Sequence, residues 1–373
     1  MKVLVTGADG FIGKNLCLSL REDATVKVIS FKRSNSIDEL ASLVANVDAV
    51  VHLAGENRPD NPVLFEHVNV GLTRALCGVV KASGKTIPLI LASSAQAELD
   101  NPYGISKLEA EREVQALAHE IGNPVAVCRL PGVFGKWCKP NYNSVVATFC
   151  HNLANNIPIE INDSGREIKL VYIDDVIAAF VDWLKEPGIG YQSLDITPEY
   201  EVTLGNLAEQ IKAFSNCRTS LVSERVGTGF IRALYATYVS YLPKERFLYD
   251  LPVHGDERGV FVEMLKTPDA GQFSFFTAHP GITRGGHYHH TKTEKFLVIK
   301  GQARFGFRHM HTEEIFYLDT NGDKPQVVET VPGWTHDITN IGSTELIVML
   351  WANEIFNRDR PDTIANKVTH EET

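Results

Sequence analysis

The sequence predicts two regions of different class: an α/β region built on a doubly wound parallel sheet, then an all-β barrel. Three observations predict it. Up to about residue 200, short apolar runs alternate with helical patterns, an order that gives a parallel sheet with crossover helices on both faces. After about residue 245 the runs are short and separated by Gly, Pro and Asp, as in a small barrel. Histidine also redistributes, with four of the 13 before residue 250 and nine after it.

In the first region Val3–Val5, Val26–Ile29, Ala49–Leu53, Pro88–Ala92 and Val125–Arg129 read as strands. Helices are expected at Gly13–Leu20, Val68–Ala82, Ser106–Ile121 and Tyr142–Asn155. In the second region the strand-like runs are Gly259–Leu265, Phe273–Phe276, Lys295–Ile299, Ala303–Phe307 and Leu346–Trp351. Pro243 to Gly259 reads as the connection, and no internal repeat or low-complexity tract is present.

Composition narrows the class of partner. At 373 residues the chain exceeds one ordinary core. A net charge of −10 argues against nucleic acid or an anionic membrane as the main partner, while local cations and helix N-termini can still hold an anionic cofactor. The six cysteines (17, 77, 128, 138, 150, 217) form no CxxC pair, which fits a reducing compartment. The chain opens on a strand and carries no 18-residue apolar span, so a soluble cytoplasmic protein is expected.

Gly7-Ala8-Asp9-Gly10-Phe11-Ile12-Gly13 follows the first strand and opens a helix. Its glycines would permit the tight turn, let backbone approach a pyrophosphate and let helix and strand pack closely. The second strand ends in Ser30-Phe31-Lys32-Arg33, with no carboxylate before Asp38. Cations there suit the 2′-phosphate of NADPH; the bland alternative is a solvated loop.

Tyr103-Gly-Ile-Ser-Lys107 sets a phenol and an ammonium four apart on one helix face. By itself the pattern usually marks a helix surface. Behind a dinucleotide loop and a strand ending in Ser93-Ser94, it reads as a carbonyl-reducing relay. Lys107 would lower the phenol pKa and bind the nicotinamide ribose, and Tyr103 would protonate a developing alkoxide. The register relative to Tyr103 favours Ser94 over Ser93 as the hydroxyl that bonds the carbonyl oxygen.

On these residues the region resembles the extended short-chain dehydrogenase/reductases that act on nucleotide sugars, with a Rossmann-type fold. His52-Leu53-Ala54-Gly55, Arg129-Leu-Pro131 with Phe134-Gly135, and Tyr172-Ile-Asp174-Asp175-Val176 extend the resemblance. It implies cofactor contacts from Leu53, Ala54, Gly55, Tyr103 and Lys107. One departure is Ile168, which stands where such enzymes often carry an arginine; Arg166 or Lys169 are the nearby cations.

The second region carries Gly281, His287-Tyr-His289, Glu294 and Gly301, then Pro332-Gly333-Trp-Thr-His336 and Asn340. The spacing resembles the two cupin motifs, with Pro332 adjoining Gly333 as a local departure. An HxH pair puts two imidazoles on one strand face. With Glu294 and His336 they would form a three-His, one-Glu set suited to Zn2+ or another divalent metal. Arg284-Gly-Gly-His287 also resembles the base-bearing segment of metal-free sugar 3,5-epimerases, which would make His287 a base. His290 and Lys292 are further acid/base candidates. Lys295 could steady an enolate or be a solvated strand residue.

A 4-keto sugar would use both regions: the ketone acidifies the neighbouring carbon for inversion, and its reduction then fixes the product. The order of the regions, with Phe134-Gly-Lys-Trp-Cys-Lys-Pro-Asn-Tyr-Asn-Ser144 and His289-His-Thr-Lys-Thr-Glu-Lys-Phe-Leu-Val298, resembles one family over nearly the whole chain. It is that of the bifunctional capsule and O-antigen enzymes of UDP-N-acetyl-L-fucosamine synthesis. The resemblance implies an NADP(H)-binding reductase domain at 1–245, its substrate-binding part roughly 135–240, and a cupin epimerase domain at 246–373. It implies a UDP-linked 4-keto-6-deoxy-N-acetylhexosamine as substrate, zinc-assisted inversion at C3, and NADPH reduction at C4. The implied product is UDP-2-acetamido-2,6-dideoxy-β-L-talose, and the implied assembly is a homodimer through the cupin domains. Two other readings are a reductase whose cupin serves only binding and dimerisation, and a non-catalytic NADPH sensor, against which the intact Tyr/Lys pair argues.

Overall fold

The structure is a computed structural model that describes residues 1–256, 259–262, 264–267, 271–354 and 359–369. It forms two compact units. One comprises Met1–Phe134, Tyr142–Ser144 and Glu167–Val202; the other comprises Gly135–Asn141, Val145–Arg166 and Thr203–Thr373. The boundary at residue 245 divides the chain by sequence order, and we keep it as a proposal.

The first unit opens with β1 (Lys2–Thr6), α1 (Phe11–Glu22), β2 (Lys27–Phe31), α2 (Glu39–Val44) and β3 (Ala49–His52). It continues with α3 (Leu72–Ala82), β4 (Leu89–Ser94), α4 (Pro102–Ile121), β5 (Val125–Leu130) and β6 (Gly132–Phe134). After α5 (Val145–Ala154), which packs in the other unit, come β7 (Glu167–Tyr172), α6 (Ile173–Lys185), β8 (Tyr191–Ser193) and β9 (Tyr200–Thr203). Six parallel strands lie in the order β2-β1-β3-β4-β5-β8, the doubly wound sheet that the alternation predicts. Leu4, Val50, Leu89, Leu91, Val125 and Val127 bury one sheet face against Leu76 and Val80 of α3 and Val114 and Leu117 of α4. The chain winds one way from β1 to β2 and the other way from β1 to β3. That reversal opens a crevice beyond the C-terminal ends of β1 and β3, where open α/β sheets bind their ligands.

Helix boundaries differ from expectation for local reasons. α4 starts at Pro102, four residues before the expected Ser106, because the Asn101 side chain accepts from Gly104 N at 2.8 Å and Pro102 suits a first turn. Tyr103 therefore sits in the first turn. A wide π-helical turn, Phe65–Gly71, leads into α3 and starts that helical stretch before the expected Val68. α5 begins at Val145, after the expected Tyr142.

The second unit adds α7 (Leu204–Ser220), α8 (Gly229–Val239), β10 (Leu248–Asp250), β11 (Val253–Asp256), β12 (Gly259–Val262) and β13 (Gln272–Ala278). Then follow β14 (Thr283–Tyr288), β15 (Glu294–Lys300), β16 (Gln302–His309), β17 (Ile315–Asn321) and β18 (Gln326–Glu329). β19 (Trp334–Asn340), β20 (Leu346–Ala352) and β21 (Ile364–Ala365) complete it. Glu263, inside the expected run Gly259–Leu265, lies outside the described residues. Two five-stranded sheets form, β10-β18-β15-β20-β13 and β17-β16-β19-β14-β21, with antiparallel pairings throughout. This is the cupin-like all-β half. Phe247, Phe307, Phe316 and Trp334 meet edge to face or stacked, with ring centroids 5.1 to 5.6 Å apart.

Candidate active sites

The crevice of the first unit is lined by backbone. Gly7 holds a φ of +67°, and a Cβ there would lie 2.8 Å from Ala54 N. A Cβ on Gly13 would lie 2.2 Å from Gly7 O. Only glycine lets β1, α1 and the Leu53–Gly55 turn come this close. Beneath them lies a polar support that sequence spacing does not show. The Thr6 hydroxyl meets His52 Nδ1 at 2.6 Å and accepts from both Leu53 N and Ala54 N at 3.1 Å. His52 Nε2 meets the Thr73 hydroxyl at 2.9 Å, and burial holds this imidazole down at about 3, so it is a neutral strut. Asp9, Gly10, Phe11 and Ile12 are exposed or half-buried at the start of α1, where backbone amides can face a phosphate.

Lys32 and Arg33 follow β2 as expected, and each already has a carboxylate. Lys32 Nζ is 3.1 Å from Asp9 Oδ1, and Arg33 pairs with Glu56. Glu56, which the sequence reading missed, is anchored by Asn69: Glu56 N donates to Asn69 Oδ1 at 2.8 Å. A 2′-phosphate would compete for these cations against two acids.

Ser94 ends β4, and its hydroxyl caps the next turn by accepting from Gln96 N at 3.2 Å. It also hydrogen-bonds Tyr103, whereas Ser93 turns away to donate to buried Glu111 at 2.5 Å. The side chains thus separate the two serines as the register suggests. Gly104 lets α4 approach the preceding turn, since a Cβ would lie 2.2 Å from Gln96 O. Lys107 is buried, donates to Ala92 O at 3.0 Å, and lies 6.0 Å from the centre of the Tyr103 ring. Burial lowers its pKa to about 8 against the opposing pull of Glu111. The expectation that Lys107 pulls the phenol down is corrected here. Burial raises Tyr103, Ser94 opposes it, and Lys107 acts instead on a backbone carbonyl. Glu111, a further residue missed from sequence, receives bonds from Arg129 at 2.7 to 3.1 Å.

In the second unit His287, His289, Glu294 and His336 converge, their candidate ligand atoms all within 4.8 Å of one another. Gly285 and Gly286, with φ of +96° and +76°, form a bulge in β14 that brings His287 opposite His336 of β19. Glu294 N donates to the Thr330 hydroxyl at 3.0 Å, fixing the start of β15. Gly333, in the left-handed region at φ +85°, donates from its amide to His289 O at 3.3 Å. The Pro332-Gly333 turn therefore supports the cup despite its departure from the motif.

The cup's electrostatics suit a cation. Burial opposes charge on Glu294, yet His289 and His336 beside it hold the carboxyl well below its usual range. Burial and the neighbouring imidazoles His336 and His289 lower His287 to about 3, and burial lowers His336. Among the described residues buried His336 finds no well-formed hydrogen bond at either ring nitrogen, its Nε2 lying 3.4 Å from Glu294 Oε2. Three imidazoles around one carboxylate, two of them kept neutral by burial, fit a divalent metal.

The other candidates fall outside this group. His290 packs its ring edge-on to Tyr288 at 5.6 Å. Lys292 Nζ lies 3.6 Å from Glu294 Oε1, at the margin of the cup. Lys295 is neither solvated nor in the cup. Strand alternation turns it to the opposite face, where its Nζ meets Glu329 Oε1 at 2.5 Å. Arg218 pairs with the other oxygen of Glu329, and Tyr235 donates to Oε1 at 3.1 Å. Among the described residues no helix is long and apolar enough to cross a membrane, and the six cysteines are buried without a disulfide.

Comparisons with known proteins give the family. Residues 3–193 match the model of the NAD dependent epimerase/dehydratase family, and residues 254–364 match a polysaccharide biosynthesis C-terminal domain. The chain is 57% identical over 368 residues to a UDP-2-acetamido-2,6-beta-L-arabino-hexul-4-ose reductase of Pseudomonas aeruginosa, covering 99% of both. The crystal structure of the capsular polysaccharide assembling protein CapF of Staphylococcus aureus superposes with a TM-score of 0.68 and 40% identity. That match covers 99% of this chain and 100% of CapF. The UDP-glucuronic acid 4-epimerase of Bacillus cereus, at 20% identity and a TM-score of 0.53, shares the fold over 58% of this chain and 84% of its own.

Proposed function

We propose that this chain, which belongs to the NAD dependent epimerase/dehydratase family and to the family of UDP-2-acetamido-2,6-beta-L-arabino-hexul-4-ose reductases, performs two successive steps on one UDP-linked 4-keto sugar. The cupin half inverts C3 and the reductase half then reduces the C4 ketone. The observation that carries the reading is that one chain holds both the Ser94–Tyr103–Lys107 constellation and the His287–His289–Glu294–His336 cup. The substrate would be UDP-2-acetamido-2,6-dideoxy-β-L-arabino-4-hexulose, in line with the name of the Pseudomonas relative, and the product of inversion and reduction would be UDP-2-acetamido-2,6-dideoxy-β-L-talose.

The family implies a nicotinamide cofactor, and the glycine-lined crevice fits one. Gly7 to Gly13 would hold its pyrophosphate, Leu53, Ala54 and Gly55 would flank it, and Lys32 with Arg33 favours NADPH. Once bound, it supplies the hydride for C4. Ser94 would donate a hydrogen bond to the ketone oxygen, and Tyr103 would give it a proton as charge develops. A raised phenol pKa keeps Tyr103 protonated and ready as an acid. Lys107, released from Ala92 O, would bind the ribose hydroxyls.

In the cup, His287, His289, Glu294 and His336 would hold Zn2+ or another divalent ion, which when bound supplies a Lewis acid for the ketone oxygen. The proton at C3 would pass to a side chain at the margin, with His290 and Lys292 as candidates. His287 fits the ligand role better than the base role, since its nearest aromatic neighbours are two other members of the set, at 4.9 and 4.7 Å. A cytoplasmic homodimer remains part of the proposal; Phe273 and Phe275, exposed on edge strand β13, support pairing through the cupin half.

A reductase whose cupin only binds is the second reading, since the name of the Pseudomonas relative states a reductase alone. Incubating the 4-keto sugar with enzyme in D2O without NADPH separates them. Deuterium enters C3 if the cupin half is an epimerase; an unlabelled sugar ends that claim.

A further inference from the structure

Residues 359–369 run as a strap beside the cup. Ile364 and Ala365 pair with β14, adding a strand beside His287. Asn366 N donates to Gly286 O at 2.8 Å, and the Thr335 hydroxyl donates to Asn366 O at 2.9 Å. Buried Arg308 donates to the carbonyls of Lys367 and Val368 at 2.7 and 3.0 Å. At the head of the strap stands Asp362. Its Oδ1 accepts from His290 N at 2.9 Å, and its Oδ2 accepts from Thr291 N and Lys292 N, both at 2.7 Å, and from the Thr291 hydroxyl at 3.0 Å. The next residue, Thr363, accepts from Lys292 Nζ at 2.9 Å.

The backbone carbonyl of Asp362 lies 2.5 Å from His289 Nδ1. A carbonyl oxygen can only accept, so Nδ1 carries the proton and donates it. In the tautomer so defined, Nε2 is the nitrogen left to face Glu294 Oε2, 3.0 Å away, and without a second proton it presents a lone pair there. Two lone pairs at that distance repel unless a proton or a metal ion lies between them. The strap thus sets the tautomer that His289 needs as an Nε2 ligand, the arrangement by which outer groups orient metal-binding imidazoles.

We propose that Asp362 is a positioning residue of the cation site: its carboxylate fixes the loop from His290 to Lys292, and its carbonyl fixes the His289 tautomer. The inference rests on the metal reading above. All four bonds to its side chain run from donors to a carboxylate oxygen, so the side chain acts only as an acceptor there.

The test uses the full-length protein with Zn2+ or Co2+ as probe. Affinity is read by competition with a chromophoric chelator, ligand geometry by Co2+ d–d absorption, and folding by thermal melting. Asp362→Asn should weaken metal binding on the order of tenfold, the range found for outer-shell changes, and shift the Co2+ bands. A folded Asp362→Asn with wild-type affinity and bands overturns the proposal. Should that variant fail to fold, a long-range 1H–15N spectrum of the zinc-loaded wild type decides. His289 must show a protonated Nδ1 and a coordinated Nε2; coordination through Nδ1 overturns the assignment. A wild type that binds neither ion removes the metal reading itself, and the proposal with it.

Discussion

The crevice and the cup solve the problem of holding a charged ligand in opposite ways. The crevice is made of backbone: glycines where a Cβ would collide, and amides steadied by the Thr6 hydroxyl. The cup is made of side chains from three strands and a turn, brought together by a bulge and held by a strap. The first tolerates varied side chains provided the chain can come close. The second depends on a few imidazoles whose orientation is set from outside. Failure in the crevice should therefore be local, and failure in the cup should spread from remote contacts.

The largest expected effect separates the two directly. Tyr103→Phe should cut NADPH oxidation by roughly a hundredfold to ten-thousandfold, as expected when a proton donor is lost, and leave deuterium entry at C3 intact. His336→Gln should do the reverse, losing label incorporation while hydride transfer to an already inverted 4-keto sugar continues. If either variant loses both activities, the two sites are not independent.

Glu329 offers an intermediate effect, away from either site. Burial alone would raise its pKa; Lys295 and Arg218 outweigh burial and hold it at about 2. Glu329→Gln leaves two buried cations short of a counter-charge, a loss of about 3–5 kcal/mol in comparable buried pairs. Denaturant unfolding of the variant checks this. The wild-type contribution should be whole above the ordinary Glu pKa of 4.5 and vanish as pH falls through about 2. A midpoint unchanged by the substitution would mean that the network holds nothing.

The smallest effect concerns pH. Lys107, lowered to about 8 by burial, is charged below that pH and loses its charge above it. Tyr103, raised by burial, keeps its proton through the same range. The kcat/KM for reduction should fall as pH rises through about 8, and Lys107→Arg should move that limb upward. A flat profile across this window would show that the ammonium charge is not needed.

The same contrast explains what was legible in the sequence. Contiguous segments announce the crevice: Gly7 to Gly13, His52 to Gly55, and Tyr103 to Lys107 each act within a few residues. The four cup residues are legible because strand alternation and motif spacing encode which face they occupy. Their support is not. Asp362 lies 73 residues from His289 and Thr330 lies 36 from Glu294, and no periodicity links either pair. The Lys107–Tyr103 electrostatics were misjudged because sequence gives spacing but not burial, and burial sets the sign. Lys295 differs from expectation for a related reason: a lysine in a strand is usually solvated, and only the pairing of β15 with β18 reveals its counter-charge, Glu329.

The neighbours Glu294 and Lys295 carry a consequence for how the barrel is threaded. A slip of β15 by one residue would turn every side chain to the other face, placing an ammonium in the cup and a carboxylate beneath the helices. The misthreaded barrel would repel a dication and, on the other side, set Glu294 beside Glu329 in place of Lys295. Metal uptake would then act as a proofreading step, since it rewards only the chain that has been threaded correctly.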